Sequence, residues 1–139
     1  MICPICRNEE CHDLIVDLLI CYECNHIFKK EMNKYEVKKN ELPFLQNSIN
    51  PVEQINEFIE NNEQYSEFIF VFPSMVFETL ELHPGKFYEH GYNHYFNQNS
   101  IMILLDRCDL MPVYQENKQQ GKYCITTIKA IKRGIKNEQ

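Results

Sequence analysis

Apolar positions fall into distinct patterns along the chain, and each pattern predicts an element. Asp13 to Ile20 (DLIVDLLI) is a short apolar run, too short for a dependable helix, and reads as a strand pair or strand-turn. From Asn50 the period changes. Val52, Ile55 and Ile59 fall at i, i+3 and i+7, which predicts a helix with one apolar face to about Tyr65. Asn50 suits its N-cap, Pro51 its first helical position, and Glu53 the place from which a capping-box acid reaches back. Glu67-Phe-Ile-Phe-Val-Phe72 then reads as a strand apolar on both faces and stopped by Pro73. A second helix, capped by Asn97 or Ser100, carries Ile101, Leu104, Leu105 and Cys108 on one face. Leu110 to Gln115 and Tyr123 to Ile131 follow as an antiparallel hairpin, with Gln119-Gln120-Gly121 in its loop and Gly134 ending the ordered part. Residues 74–96 read as irregular and rich in aromatics and histidine.

The apolar run 13–20 is flanked by Cys3-Pro-Ile-Cys6 and Cys21-Tyr-Glu-Cys24. Two C-x-x-C pairs with fourteen residues between them are the spacing of a zinc ribbon. Each pair forms a knuckle, the hairpin between them brings the knuckles together, and four thiolates complete the closed tetrahedral shell of structural Zn²⁺. The rival chemistry is a redox dithiol, which the doubled pair on one short segment disfavours. A Cys3-Cys6-Cys11-His12 site is a further alternative, but it would strand Cys21 and Cys24; Cys11 and His12 are otherwise expected on the connecting loop. Ile27 and Phe28 are expected to pack under the second knuckle. Cys108 and Cys124 read as small buried hydrophobes. His83, His90 and His94 raise the possibility of a second metal, with His90 and His94 at i, i+4, but Pro84, Gly85 and Gly91 weaken any helix there.

Composition narrows the class. The 139 residues, 44% hydrophobic and 12% aromatic, fit one modest domain or a metal module plus a small domain. No run approaches the ~18 apolar residues of a membrane span, and Met-Ile-Cys-Pro is no secretory signal, so a cytoplasmic protein with reduced thiols is expected. The net charge is −6, and residues 41–110 hold eleven acids against Lys86 and Arg107 alone. Lys29, Lys30, Lys34, Lys38 and Lys39 are the nearest approach to a basic face, interrupted by Glu31 and Glu36, so they read as a solvated linker and nucleic acid is not the expected partner.

Cys3-Pro4-Ile5-Cys6 and Cys21 to Phe28 resemble the N-terminal zinc ribbon of bacterial S-adenosylmethionine-dependent methyltransferases. Asn50-Pro-Val-Glu opening a helix, a strand ending in Phe72-Pro73, Phe87-Tyr88-Glu89-His90 with Tyr95-Phe96, Ser100-Ile101-x-x-Leu104-Leu105, and Asp109-Leu110 are similar to the C-terminal third of the sugar C-methyltransferases. The matches cover about 110 residues. The resemblance implies that Tyr88, Glu89 and His90 are the catalytic candidates, with His90 as a base toward a sugar carbon or hydroxyl. The chain departs from the family in two places: four residues, not two, separate His90 from Tyr95, and Asp109 stands where the family has glycine.

A larger departure is a missing piece. The family's donor site needs a glycine-rich βαβ unit of roughly 30 residues. There is no room for one between Phe28 and Asn50, and Gly85, Gly91, Gly121 and Gly134 form no such motif. S-adenosylmethionine binding is therefore not expected of the isolated chain. The expected fold is α+β, or truncated α/β: a ribbon over residues 1–30, a linker over 31–49, a methyltransferase C-terminal-like domain over 50–133 with a small mixed sheet and two flanking helices, and a tail over 134–139. The strand 67–72 would lack its family neighbour, so its edge is expected to pair with a second copy or a partner protein. The functional expectation is a zinc-ribbon binding or partner subunit, acting on a nucleotide-sugar or completing an active methyltransferase with another chain. The competing expectation is a zinc-ribbon nucleic-acid or transcription adaptor.

Overall fold

The computed structural model describes residues 2–15, 17–32, 45–74, 92–120 and 123–133. Tyr88, Glu89, His90 and His83 lie outside them, as do Lys34, Lys38 and Lys39. Strands β1 (Cys11–Ile15) and β2 (Leu18–Cys21) form the hairpin expected between the cysteine pairs. It turns at Asp17, whose φ of 65° is in the left-handed region that Asp tolerates better than most residues. Strand β3 (Ile27–Lys29) adds to β2, and the two-residue strand β5 (His94–Tyr95) adds to β3. This gives an antiparallel sheet in the order β1-β2-β3-β5. Cys11 and His12 therefore sit in a strand and not in a loop, because the hairpin begins two residues before the apolar run; His12 stacks on Tyr22.

Helix α1 (Pro51–Glu60) starts as its sequence predicts. The Asn50 side chain accepts from the Glu53 N–H at 3.2 Å, while the Glu53 carboxylate accepts from the Asn50 side-chain Nδ2 at 3.3 Å and not from its backbone N–H as in a capping box. It ends at Glu60, five residues before Tyr65, where Asn61 caps it and the Asn62 amide donates to the Phe58 carbonyl. Helix α2 (Gln98–Arg107) uses both of the predicted cap residues. Asn97 accepts from Ser100 N–H and Ser100 Oγ accepts from Asn97 N–H, so the two candidates are the two halves of one capping box. Its face of Ile101, Leu104 and Leu105 is buried, and Cys108 follows it into the core.

The second sheet has the order β4-β7-β6: strand β4 (Glu67–Ser74), strand β6 (Leu110–Gln120) and strand β7 (Tyr123–Lys132). One strand joined to a C-terminal hairpin is the expected grouping, but all its pairs are antiparallel, so the sheet is not mixed. The fold is α+β, with two α-helices and two small antiparallel sheets among the described residues. The hairpin strands run further than predicted, taking Gln119 and Gln120 into β6. Asp109, in the glycine place noted above, has a φ of 54° between α2 and β6.

Strand β4 departs most from its sequence. Phe68 and Phe70 are buried, while Ile69 is 60% and Val71 53% exposed. The strand is thus apolar on both faces but covered on one. Pro73 does not stop it, since it pairs opposite Ile125 and β4 continues to Ser74. Among the described residues β4 is an edge, the one sheet position where a missing N–H costs little.

One core cluster joins the ribbon to the rest. Cys3, Ile5, Cys21, Cys24 and Phe28 share one cluster with Leu45, Ile55, Phe68, Phe70, Leu104, Leu110 and Ile128. Ile27 instead faces the far side of the ribbon sheet, against Leu18 and Tyr95. Leu45 and Gln46, from the stretch read as a linker, are buried in a 3-10 turn (Leu45–Asn47). No helix of the described residues is long and apolar enough to cross a membrane.

Candidate metal centre

The two cysteine pairs fold the same way. In the first, the Arg7 N–H donates to the Cys3 carbonyl at 3.0 Å and the Cys3 N–H to the Asn8 carbonyl at 2.9 Å. In the second, the Asn25 N–H donates to the Cys21 carbonyl at 2.9 Å and the Cys21 N–H to the His26 carbonyl at 2.9 Å. Arg7 and Asn25, each directly after the second cysteine, have φ of 68° and 61°. That left-handed residue reverses the chain so that the next backbone N–H faces sulfur: Asn8 faces Cys6, and His26 faces Cys24.

The four sulfurs of Cys3, Cys6, Cys21 and Cys24 all lie within 4.8 Å of one another. Across the knuckles, Cys3 is 3.7 Å from Cys24 and Cys6 is 3.4 Å from Cys21. A tetrahedral Zn–S shell at about 2.3 Å has S–S edges of about 3.8 Å, so the quartet fits a metal ion with little movement. Cys3, Cys21 and Cys24 are fully buried, and Cys6 is partly exposed. The Cys3 thiol is lowered to about 5, first by its hydrogen bond with Cys24 and then by the N–H groups of Cys6 and Ile5, against the opposing effect of burial. Cys24 is raised, first by the same hydrogen bond, and Cys6 is raised by burial. Metal ligation requires thiolates, so uptake of an ion would release the remaining thiol protons to solvent. A metal held by these four sulfurs would have no position left for a substrate and would act as a crosslink.

Helix α2 holds both knuckles. At its start the Asn97 Nδ2 donates to the Cys24 carbonyl at 3.2 Å. At its end the Arg107 Nη1 donates to the Ile5 carbonyl at 2.7 Å and the Pro4 carbonyl at 3.4 Å. Sequence reading missed both roles, although the cap at Asn97 was legible. A charge-assisted hydrogen bond to a carbonyl is worth about 1.5–3 kcal/mol. Arg107→Ala is therefore expected to cost about 2 kcal/mol of unfolding free energy in the metal-loaded protein, read from the urea midpoint, while Asp106→Ala on the same turn changes it by less than about 0.5 kcal/mol.

A buried histidine pair adjoins the second knuckle. The His94 Nε2 lies 2.7 Å from the Ser48 carbonyl, and its Nδ1 lies 2.9 Å from the His26 Nε2. A carbonyl only accepts, so His94 carries its proton on Nε2, His26 donates from Nε2, and the His26 Nδ1 is bare. That nitrogen is buried without a hydrogen-bond partner among the described residues. Both rings are fully buried beside Phe96, and burial lowers both, His94 to about 3 and His26 well below its usual value. His94, raised above as part of a second metal site, is thus bound to Ser48 and His26. The quartet is the one group of three or more potential metal ligands among the described residues.

The residues expected as ligands are brought together; Cys11, the alternative, lies beside the quartet and outside it. Cys108 is buried as expected, its thiol pushed up to about 12 by burial. Compared with known protein families, with curated proteins and with solved structures, the chain matches none.

Proposed function

We propose that this chain is a zinc-ordered binding subunit with no reaction of its own, related in plan to a methyltransferase that has lost its donor-binding unit. The observation that carries this reading is the closed four-sulfur group, anchored through α2 to the sheet that β4 edges. Thiolate ligands in a tetrahedral set favour zinc, and a reducing, cytoplasmic compartment would keep them free for it. The candidate trio Tyr88, Glu89 and His90 would serve recognition of a nucleotide-sugar, with any methyl donor held by another chain.

The contact surface in this reading is the β4 edge, and the occupant is a second copy. Two β4 strands meeting antiparallel about Phe70 set Ile69 against Val71 and Glu67 against Pro73. Apolar thus meets apolar and no like charges face each other, and the edge that β4 presents among the described residues would gain backbone partners. The adaptor reading is less well supported, because many of the described cations are already engaged. Lys30 pairs with Asp13, Lys129 with Glu67 and Arg133 with Asp106; Lys132 lies over Phe68, and Arg107 holds the first knuckle.

Three measurements on the purified full chain test the proposal. One zinc per chain, no heat on titration with S-adenosylmethionine, and a dimer by light scattering that Val71→Lys converts to monomer are the expected results. Micromolar donor binding would overturn the non-catalytic reading, and a wild-type monomer would remove the β4 contact.

A further inference from the structure

We propose that Cys11 is a fifth sulfur of the metal centre, an exchange ligand at its open side through which the ion is handed in and out. This rests on the quartet being a metal site. Cys11 stands directly opposite Cys21 in the β1–β2 register. The Cys21 N–H points away, to the His26 carbonyl, while the neighbouring Tyr22 N–H bonds to the Glu10 carbonyl. Cys11 and Cys21 therefore form a non-hydrogen-bonded pair, the kind in which antiparallel side chains come closest, with Cα atoms about 4.5 Å apart.

The thiol of Cys11 also reaches the first knuckle, donating to the Asn8 carbonyl at 3.8 Å, the carbonyl that accepts the Cys3 N–H. It thus touches the residue that closes one knuckle and lies opposite a ligand of the other. Exposure gives the direction of access. Cys3, Cys21 and Cys24 are fully buried, whereas Cys6 and Cys11 are both partly exposed, so solvent meets the five sulfurs on the Cys6–Cys11 side.

A closed four-thiolate shell releases its ion slowly, because a ligand must leave before an acceptor can bind. Cys11 removes that obstacle by substitution. Its sulfur would join the ion as Cys21 departs, and the proton of Cys11 would pass to the displaced thiolate. The number of sulfurs on the ion and the total charge would be unchanged, and the buried Cys21 would be replaced by the partly exposed Cys11.

The test uses the full chain loaded with Co²⁺, whose sulfur charge-transfer and d–d bands count thiolate ligands, and follows transfer of the ion to excess EDTA. Cys11→Ser is expected to keep one Co²⁺ per chain and the four-sulfur spectrum, yet to slow transfer at least tenfold. Cys21→Ser is expected to retain a four-sulfur spectrum by recruiting Cys11, and Cys11→Ser with Cys21→Ser to lose it. Unchanged transfer in Cys11→Ser, or a three-sulfur spectrum in Cys21→Ser alone, overturns the exchange role while leaving the metal centre standing. A wild-type chain that takes up no metal overturns the centre and the exchange role together.

Discussion

Stripping the metal from the loaded protein with EDTA is expected to unfold the C-terminal sheet together with the ribbon. Structural zinc contributes on the order of 10 kcal/mol to the folding of small zinc domains. A domain of this size has a total stability of about 5–15 kcal/mol. If the ribbon were a separate module, its loss would leave β4, β6 and β7 intact. It is not separate: Cys3, Cys21 and Cys24 share a cluster with Phe70, Leu110 and Ile128, and α2 is bonded to both knuckles. Without the ion, four thiols and two left-handed turns would have to hold the most buried part of that core. The check is methyl NMR of Ile128, Leu110 and Leu104 before and after chelation. Collapse of their dispersion is expected, with recovery on adding zinc; dispersed methyl signals in the stripped protein would show that the sheet folds unaided.

The histidine pair should make the protein acid-labile before its carboxylates matter. His94 is held to about 3 by burial, against about 6.5 in the unfolded chain. Between those values the unfolded state binds a proton that the native state does not, so stability rises with pH across this window and is flat above it. Lowering the pH from 7 to 5 costs about 2 kcal/mol through His94 alone, and His26, shifted in the same direction, adds to it. Protonation of metal-bound thiolates works in the same sense, so wild-type acid lability alone does not identify the histidines. His26→Phe with His94→Phe, studied zinc-loaded, separates the two: its dependence of unfolding free energy on pH between 6.5 and 5 should be shallower by up to about two protons. A slope equal to wild type would clear the pair of this role.

The parts legible in the sequence are those fixed within a few residues. C-x-x-C spacing, the Asn50 and Asn97 caps and the hairpins depend on neighbours, and they appear where they were expected. What needed the whole chain was not legible. His26 and His94 are sixty-eight residues apart, and neither sequence context shows that one ring hydrogen-bonds the other. A faint signal existed: each lies beside apolar residues, Ile27 and Phe28 or Tyr95 and Phe96, where a histidine must find a partner or stay neutral. Strand β4 misled because apolar residues on both faces report what a strand can bury, while the presence of a second covering layer depends on elements elsewhere. Arg107 gave no local signal of its role, since a helix-terminal arginine ordinarily meets solvent or the helix dipole.

Helix α2 has one more consequence. With ten residues at 1.5 Å each, it is a gauge about 15 Å long whose ends are both bolted to the cysteine turns. Adding or removing a single residue would change that span and also swing Arg107 by about 100° around the axis, away from the carbonyls it grips. The chain therefore cannot absorb a length change inside α2. Its reading frame of turns is set by the distance between two cysteine pairs that lie more than seventy residues earlier in the chain.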